Sequence, residues 1–268
     1  MRRLIVCDID NTLLPAGGSI SAHTLDVLSS LGEDTGFSIA TGRSFHVVRK
    51  FVEDFGLKLP VITSNGAQLY DYTENKVIYE CALKNRITTR LFSKLIKENF
   101  DFVAYGTEGI YFRPESEHLA FFYNYNQSVR PEIRANMIPL HSDVIQNGAP
   151  GITKLLVYQP TPELIRELSA WKSLEVTASM RHVIDVMANG ATKGNAVVAL
   201  ASHLHIPLSQ VFCFGDGEND VSMFTCGAVG IAMGNSSEQV KASASIVTKS
   251  CLEDGVAYAI ENLLPDHS

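Results

Sequence analysis

The sequence predicts an α/β protein: a doubly wound parallel sheet with an α+β domain inserted into it. Three observations lead there. Short continuous apolar runs ending in polar turn residues alternate with segments of helical spacing, the pattern of parallel strands joined by crossover helices. That pattern stops near residue 81 and resumes after residue 187, so the two ends of the chain build one sheet. The stretch between them instead carries hairpin signals and a concentration of aromatic residues.

Leu4-Ile5-Val6-Cys7 is a buried-strand run, followed by turn residues and a helix that opens at Ser21 and reaches about Leu31. Phe37 to Ala40 is the next strand, followed by a helix from about Ser44 to Phe55, and Pro60 to Thr63 is a strand leading into Ser64-Asn65-Gly66. Within the insert, 82–187, Phe100 to Tyr105 and Gly109 to Arg113 read as a hairpin, with further strands at Thr153 to Tyr158 and Val183 to Met187 and two or three helices. One helix begins at Thr161-Pro162-Glu163, where Thr161 can cap free amides and Pro162 suits the first helical position. The core pattern returns with a helix from Thr192 to His203, a strand Val211 to Phe214, a helix near Asn219 to Phe224, and a strand Ala228 to Ala232. A helix from about Ser236 and a strand Ser245 to Val247 complete it. The expected division is therefore 1–81 with 188–268 as a discontinuous core and 82–187 as the insert. Phe121, Phe122, Tyr123 and Tyr125 are expected to pack a small core rather than line a ligand wall.

Composition narrows the function. The chain has 268 residues, more than one compact core comfortably uses, with 46% hydrophobic and 19% charged residues, as in an ordinary globular protein. A net charge of −7 without a basic block excludes the electrostatic footprint of nucleic-acid or anionic-membrane binding and points to a small-molecule ligand. Five widely spaced cysteines without a Cys-x-x-Cys pair read as free thiols of a reducing compartment. No apolar run is long enough for a signal-peptide core or a membrane span, and the expected location is the cytoplasm.

Four segments carry chemistry. Asp8-Ile9-Asp10-Asn11-Thr12, Thr41-Gly42-Arg43, Lys193 and Gly215-Asp216-Gly217-Glu218-Asn219-Asp220 each lie at the end of a predicted strand or the start of the following helix. In a doubly wound sheet the carboxyl ends of parallel strands converge on one crevice, so these segments should face one ligand. Asp8 and Asp10 cannot both ionise cheaply without a cation, and a hard, oxygen-ligated metal is the simplest remedy. The acidic cluster after Phe214 adds a further metal-ligand carboxylate on a glycine-permitted turn, without the spacing of a calcium-binding EF-hand loop. Thr41-Gly42 puts a hydroxyl and exposed amides at a helix N-terminus, a suitable anion cradle. Lys193, in the first turn of a helix where a cation is mildly unfavourable, calls for a compensating anion. Cys7 reads as core packing, and His203 with His205 as surface or packing residues. Arg43, Asn65, Arg181 and His182 stay candidates for substrate contact that capping and turn formation explain equally well.

In order and context these segments resemble the haloacid dehalogenase superfamily of phosphohydrolases. Asp-Ile-Asp-Asn-Thr-Leu, Ala40-Thr41-Gly42-Arg43, Lys193, and Gly-Asp-Gly-Glu-Asn-Asp with Met223 are similar to its four motifs. Thr63-Ser64-Asn65-Gly66-Ala67 and the long insert are similar to the Cof-type branch, subfamily IIB, which implies that the insert is an α+β cap serving as a lid. Asn11 stands where the family usually has Gly, and Asn tolerates the left-handed backbone that the turn needs.

The resemblance implies that Asp8 is the nucleophile and that Asp10 protonates the leaving alcohol and later activates water. It implies phosphate binding by Ile9, Thr41, Gly42, Lys193 and Asn219. Mg²⁺ would be held by Asp8, the backbone carbonyl of Asp10 and Asp216, with Asp220 supporting it through water or hydrogen bonds. Burial and acidic neighbours are expected to raise the Asp10 pKa so that it can act as an acid. The implied activity is Mg²⁺-dependent hydrolysis of small phosphate esters, sugar phosphates above all. A phosphohexomutase using the same intermediate and a non-enzymatic sugar-phosphate sensor stand as alternatives.

Overall fold

The structure, a computed structural model, describes residues 1–180 and 182–264; Arg181 lies outside the described residues. The described residues divide into two compact units, one within 1–42, 55–78 and 192–264, the other within 43–54 and 79–191. The sequence puts the helix Phe45–Asp54 with the core, whereas it groups with the second unit.

The first unit is built on a five-stranded sheet in the order Ile246–Val247, Val229–Ala232, Val211–Gly215, Arg3–Cys7, Thr35–Ile39, with every pairing parallel. Leu4 to Cys7 are all buried, as expected of a central strand covered on both faces. Cys7 is in register with Phe214 on one side and Ile39 on the other. The Asp8 amide then donates to the Phe214 carbonyl and the Ala40 amide to the Cys7 carbonyl, both at 2.9 Å. This register brings the residues after the three strands, Asp8, Asp216 and Thr41, to one sheet edge. An Ala40–Ile62 bridge continues the parallel order to Val61–Thr63, which turns back antiparallel into Gln68–Asp71.

The second unit carries a six-stranded sheet in the order Leu174–Met180, Val183–Ala188, Lys154–Tyr158, Phe102–Tyr105, Ile110–Phe112, Met137–Pro139. Its pairings are antiparallel except the last. Alternation of period two is clean. Phe102, Ala104, Leu155, Val157, Ile184 and Val186 face one core, shared with Leu91, Phe92 and Leu95 of the helix Asn85–Lys97 and Leu164 and Leu168 of Pro162–Ser169. Val103, Tyr105, Leu156 and Val183 face a second core with Val47 and Phe122. Thr161 caps its helix as its sequence predicts, accepting from the Leu164 amide at 3.2 Å. Of the expected aromatic core, Phe122 is buried, whereas Phe121 and Tyr123 are each 46% exposed. Among the described residues no helix is long and apolar enough to cross a membrane.

Candidate active site

Lys193 organises the site. It opens the helix Lys193–His203, whose N-cap Thr192 accepts from the Asn195 amide at 3.2 Å. Its side chain is fully buried, and Nζ donates to Asp8 Oδ1 and to Asp220 Oδ1, each at 2.6 Å. Burial alone would lower its pKa, but Asp220 and Asp8 together hold it above the usual lysine range. Asp220 is saturated, since its Oδ2 accepts from the Asp216 and Gly217 amides, both at 2.9 Å. It therefore braces the turn from which Asp216 projects. Gly215 is required beneath it, because a Cβ there would lie 2.4 Å from the Asp220 side chain.

Asp8, Asp216 and Asp220 offer oxygens within 4.8 Å of one another, three carboxylates around one ammonium. The surplus negative charge shows in the proton affinities. Burial, reinforced by Asp220 and Asp216 and only partly offset by Lys193, pushes Asp8 up to about 8, and burial with Asp220 raises Asp216 to about 6. A carboxyl protonated at neutral pH is a poor nucleophile, so the donor set fits a hard divalent cation that would restore the ionised form. With Asp220 engaged by three donors, Asp8 and Asp216 are the side chains suited to hold it.

Of the remaining expected residues, Ile9 and Thr41 are fully buried at the same sheet edge and Gly42 is half-buried. Asn11 has φ 62°, the left-handed geometry that its position requires. Asp10 departs from expectation: it is exposed, without the burial expected of it. The reason is local. The turn folds back through the Leu13 and Leu14 amides onto the Ile9 carbonyl, which buries Ile9 and leaves its neighbour on the outside.

Three polar contacts escaped the sequence. Thr12 Oγ1 donates to Asp216 Oδ1 at 3.0 Å and fixes one oxygen of that carboxylate. Asn219 Nδ2 donates to Asn65 Oδ1 at 3.1 Å. Asn235 bridges the Asn11 carbonyl, at 3.0 Å, and the Cys251 amide, at 2.8 Å. The only sequence signal for Asn235 is its place after Met233-Gly234, just beyond a buried strand.

A parallel sheet that gathers a buried lysine and a carboxylate cluster beyond its strand ends has its chemistry-bearing groups where α/β enzymes bind their ligands. Comparison with known proteins narrows the class. The profile of the haloacid dehalogenase-like hydrolases matches residues 5–260. The chain is 28% identical to the 5-amino-6-(5-phospho-D-ribitylamino)uracil phosphatase YwtE of Bacillus subtilis, over 98% of both chains. It is 26% identical to the pyridoxal phosphate phosphatase YbhA of Escherichia coli, over 96% of this chain and 97% of that one. A solved haloacid dehalogenase subclass IIB sugar phosphatase superposes with a TM-score of 0.82 at 26% identity, covering 97% of this chain and 98% of that one. The chain belongs to the haloacid dehalogenase-like hydrolase family, in its Cof-type, subclass IIB branch. It is an enzyme, a phosphoric monoester hydrolase.

Proposed function

We propose that this enzyme hydrolyses small phosphorylated metabolites, sugar phosphates foremost, with Mg²⁺ and through an aspartyl-phosphate on Asp8. The observation that carries the reading is the buried Lys193 ammonium, 2.6 Å from both Asp8 and Asp220. A lysine with no exposed surface, tied to an acidic cluster that still has surplus negative charge, supports a site where a phosphate and a divalent cation meet.

Mg²⁺ held by Asp8, the Asp10 carbonyl and Asp216, with Asp220 bracing the turn behind them, would neutralise charge on the carboxylates and on the transferring phosphoryl group. In the first step a carboxylate oxygen of Asp8 attacks phosphorus, the ester P–O bond breaks, and Asp10 gives its proton to the leaving alcohol. In the second step Asp10 takes a proton from water, whose oxygen attacks phosphorus. The acyl-phosphate P–O bond breaks, which releases inorganic phosphate and restores Asp8. The exposure of Asp10 lets it exchange protons with solvent between these steps. Lys193, Thr41, the amides around Ile9 and Gly42, and Asn219 would bind the phosphate oxygens.

The phosphatases to which the chain is similar are named for a ribitylaminouracil phosphate, for pyridoxal phosphate and for a sugar phosphate. Their common chemistry is a phosphomonoester on a small polar organic molecule. Residues 1–81 with 188–268 form the proposed catalytic core, and 82–187 the proposed cap that selects among such molecules. A cytoplasmic location belongs to the same reading, supported by five free cysteines.

The test is phosphate release from a panel of hexose, pentose, nucleoside and pyridoxal phosphates, with and without Mg²⁺, for the wild type and Asp8→Asn. Mg²⁺-dependent release that vanishes in the variant is expected. Release without added metal, or release that survives in the variant, would overturn the reading.

A further inference from the structure

The loop Ser64-Asn65-Gly66 carries an unusual backbone, with three successive residues in the left-handed region at φ 52°, 56° and 91°. Glycine takes that conformation freely, whereas Ser and Asn adopt it at a steric cost that persists only where surrounding contacts impose it. Here the contacts are visible. Ser64 and Asn65 are 1% and 4% exposed, and the loop touches three segments that are distant in sequence. The Asn65 amide donates to the Thr41 carbonyl at 3.0 Å, and Asn65 Oδ1 accepts from Asn219 Nδ2 at 3.1 Å. Gly66 lies so close to the start of the Lys193 helix that a Cβ would be 2.1 Å from the Thr192 carbonyl oxygen and 2.6 Å from the Lys193 amide nitrogen. These are the segments to which the proposed mechanism gives phosphate binding.

We infer that Asn65 is a positioning residue that orients the Asn219 amide toward the phosphate, an inference that rests on the phosphatase reading above. The orientation is set from both ends. Asn219 Oδ1 faces Gly217, where a Cβ would lie 2.6 Å from it, and one Asn219 N–H is taken by Asn65. The second N–H of the same planar amide then has a fixed direction and serves an anion. Asn suits position 65 twice over, since it tolerates the left-handed backbone and supplies a buried carbonyl acceptor. Gly meets only the first need. Asn65→Gly therefore removes the acceptor while keeping the loop.

The experiment compares wild type, Asn65→Gly, Asn219→Ala and the double variant with Mg²⁺ present. It reads thermal melting, hydrolysis of p-nitrophenyl phosphate, and binding of inorganic phosphate by calorimetry. Asn65→Gly should melt close to wild type, while kcat/KM and phosphate affinity both fall about tenfold, the scale of a misdirected hydrogen bond to a charged ligand. The double variant should be no worse than Asn219→Ala alone, because Asn65 acts through Asn219. Losses that multiply in the double variant, or wild-type phosphate affinity in Asn65→Gly, would overturn the inference. A wild type that hydrolyses no ester would sink the phosphatase reading alone, since the calorimetric comparison still decides the role of Asn65. A wild type that binds no phosphate would sink both.

Discussion

Replacing Asp8 with Asn should stabilise the metal-free protein, the opposite of what most buried substitutions do. Asp8 is 6% exposed, Lys193 Nζ lies 2.6 Å from one of its oxygens, and Asp216 and Asp220 crowd it within 4.8 Å. Burial and those neighbours move its carboxyl from 3.8 to about 8. At about 1.4 kcal/mol per tenfold change in proton affinity, keeping Asp8 in the fold at pH 7 costs roughly 4 kcal/mol relative to the unfolded chain. Asn retains an oxygen to accept from Lys193 and carries neither the charge nor the extra proton. With local relaxation absorbing about half, the expected gain is about 2 kcal/mol, or a melting temperature higher by roughly 4 to 8 °C. The sign with pH follows from the raised value. The folded state binds the proton more tightly, so this contribution is full below the unfolded pKa of 3.8 and is lost as pH rises through about 8. In a chelator, urea unfolding of the wild type should weaken across that window, and the variant should lack that slope. Saturating Mg²⁺ should stabilise the wild type more than the variant and narrow the gap. A variant that is less stable than wild type in the chelator, or that keeps its full pH slope, would refute the electrostatic argument.

Other perturbations test other parts of the structure. Lys193→Met strands the Asp220 carboxylate without its buried cation and should cost about 3 kcal/mol, read as a lower denaturant midpoint. Gly66→Ala should destabilise by about 3 kcal/mol, because the new Cβ would lie 2.1 Å from the Thr192 carbonyl oxygen at a residue with φ 91°. His46, whose Nε2 lies 2.9 Å from the Gly106 carbonyl oxygen, has its pKa lowered by burial, which outweighs that hydrogen bond. The unfolded chain therefore takes up the proton first, and stability should fall as pH drops below the unfolded value of 6.5. Asn at this position should remove that fall in calorimetric melts.

The core is legible because its strands are buried on both faces and so read as unbroken apolar runs, and because parallel order forces their ends together. That order alone puts Asp8, Thr41 and Asp216 at one edge, and register supplies only the detail. Two strands of the second unit are not legible. Leu174–Met180 mixes Glu and Thr into its run, and Met137–Pro139 is three residues long with a terminal proline. Nor does the sequence assign Phe45–Asp54 to its unit. An amphipathic helix reveals which face is apolar but not what covers it, and Val47 joins the core that holds Phe122. In the site, residue types announce the charges, while the hydrogen bonds that orient them stay hidden. Thr12 on Asp216, Asn65 on Asn219 and Asn235 on the Asn11 carbonyl join residues 204, 154 and 224 positions apart. The exposure of Asp10 is hidden for the same reason, since it depends on how one turn closes onto the Ile9 carbonyl.

Covalent transfer to Asp8 is tested by rapid acid quenching of the enzyme during turnover of a radiolabelled sugar phosphate with Mg²⁺. Label is expected on the peptide that contains Asp8, released by hydroxylamine and absent from Asp8→Asn. Steady phosphate release with label on no peptide, or on a peptide other than that one, would contradict it.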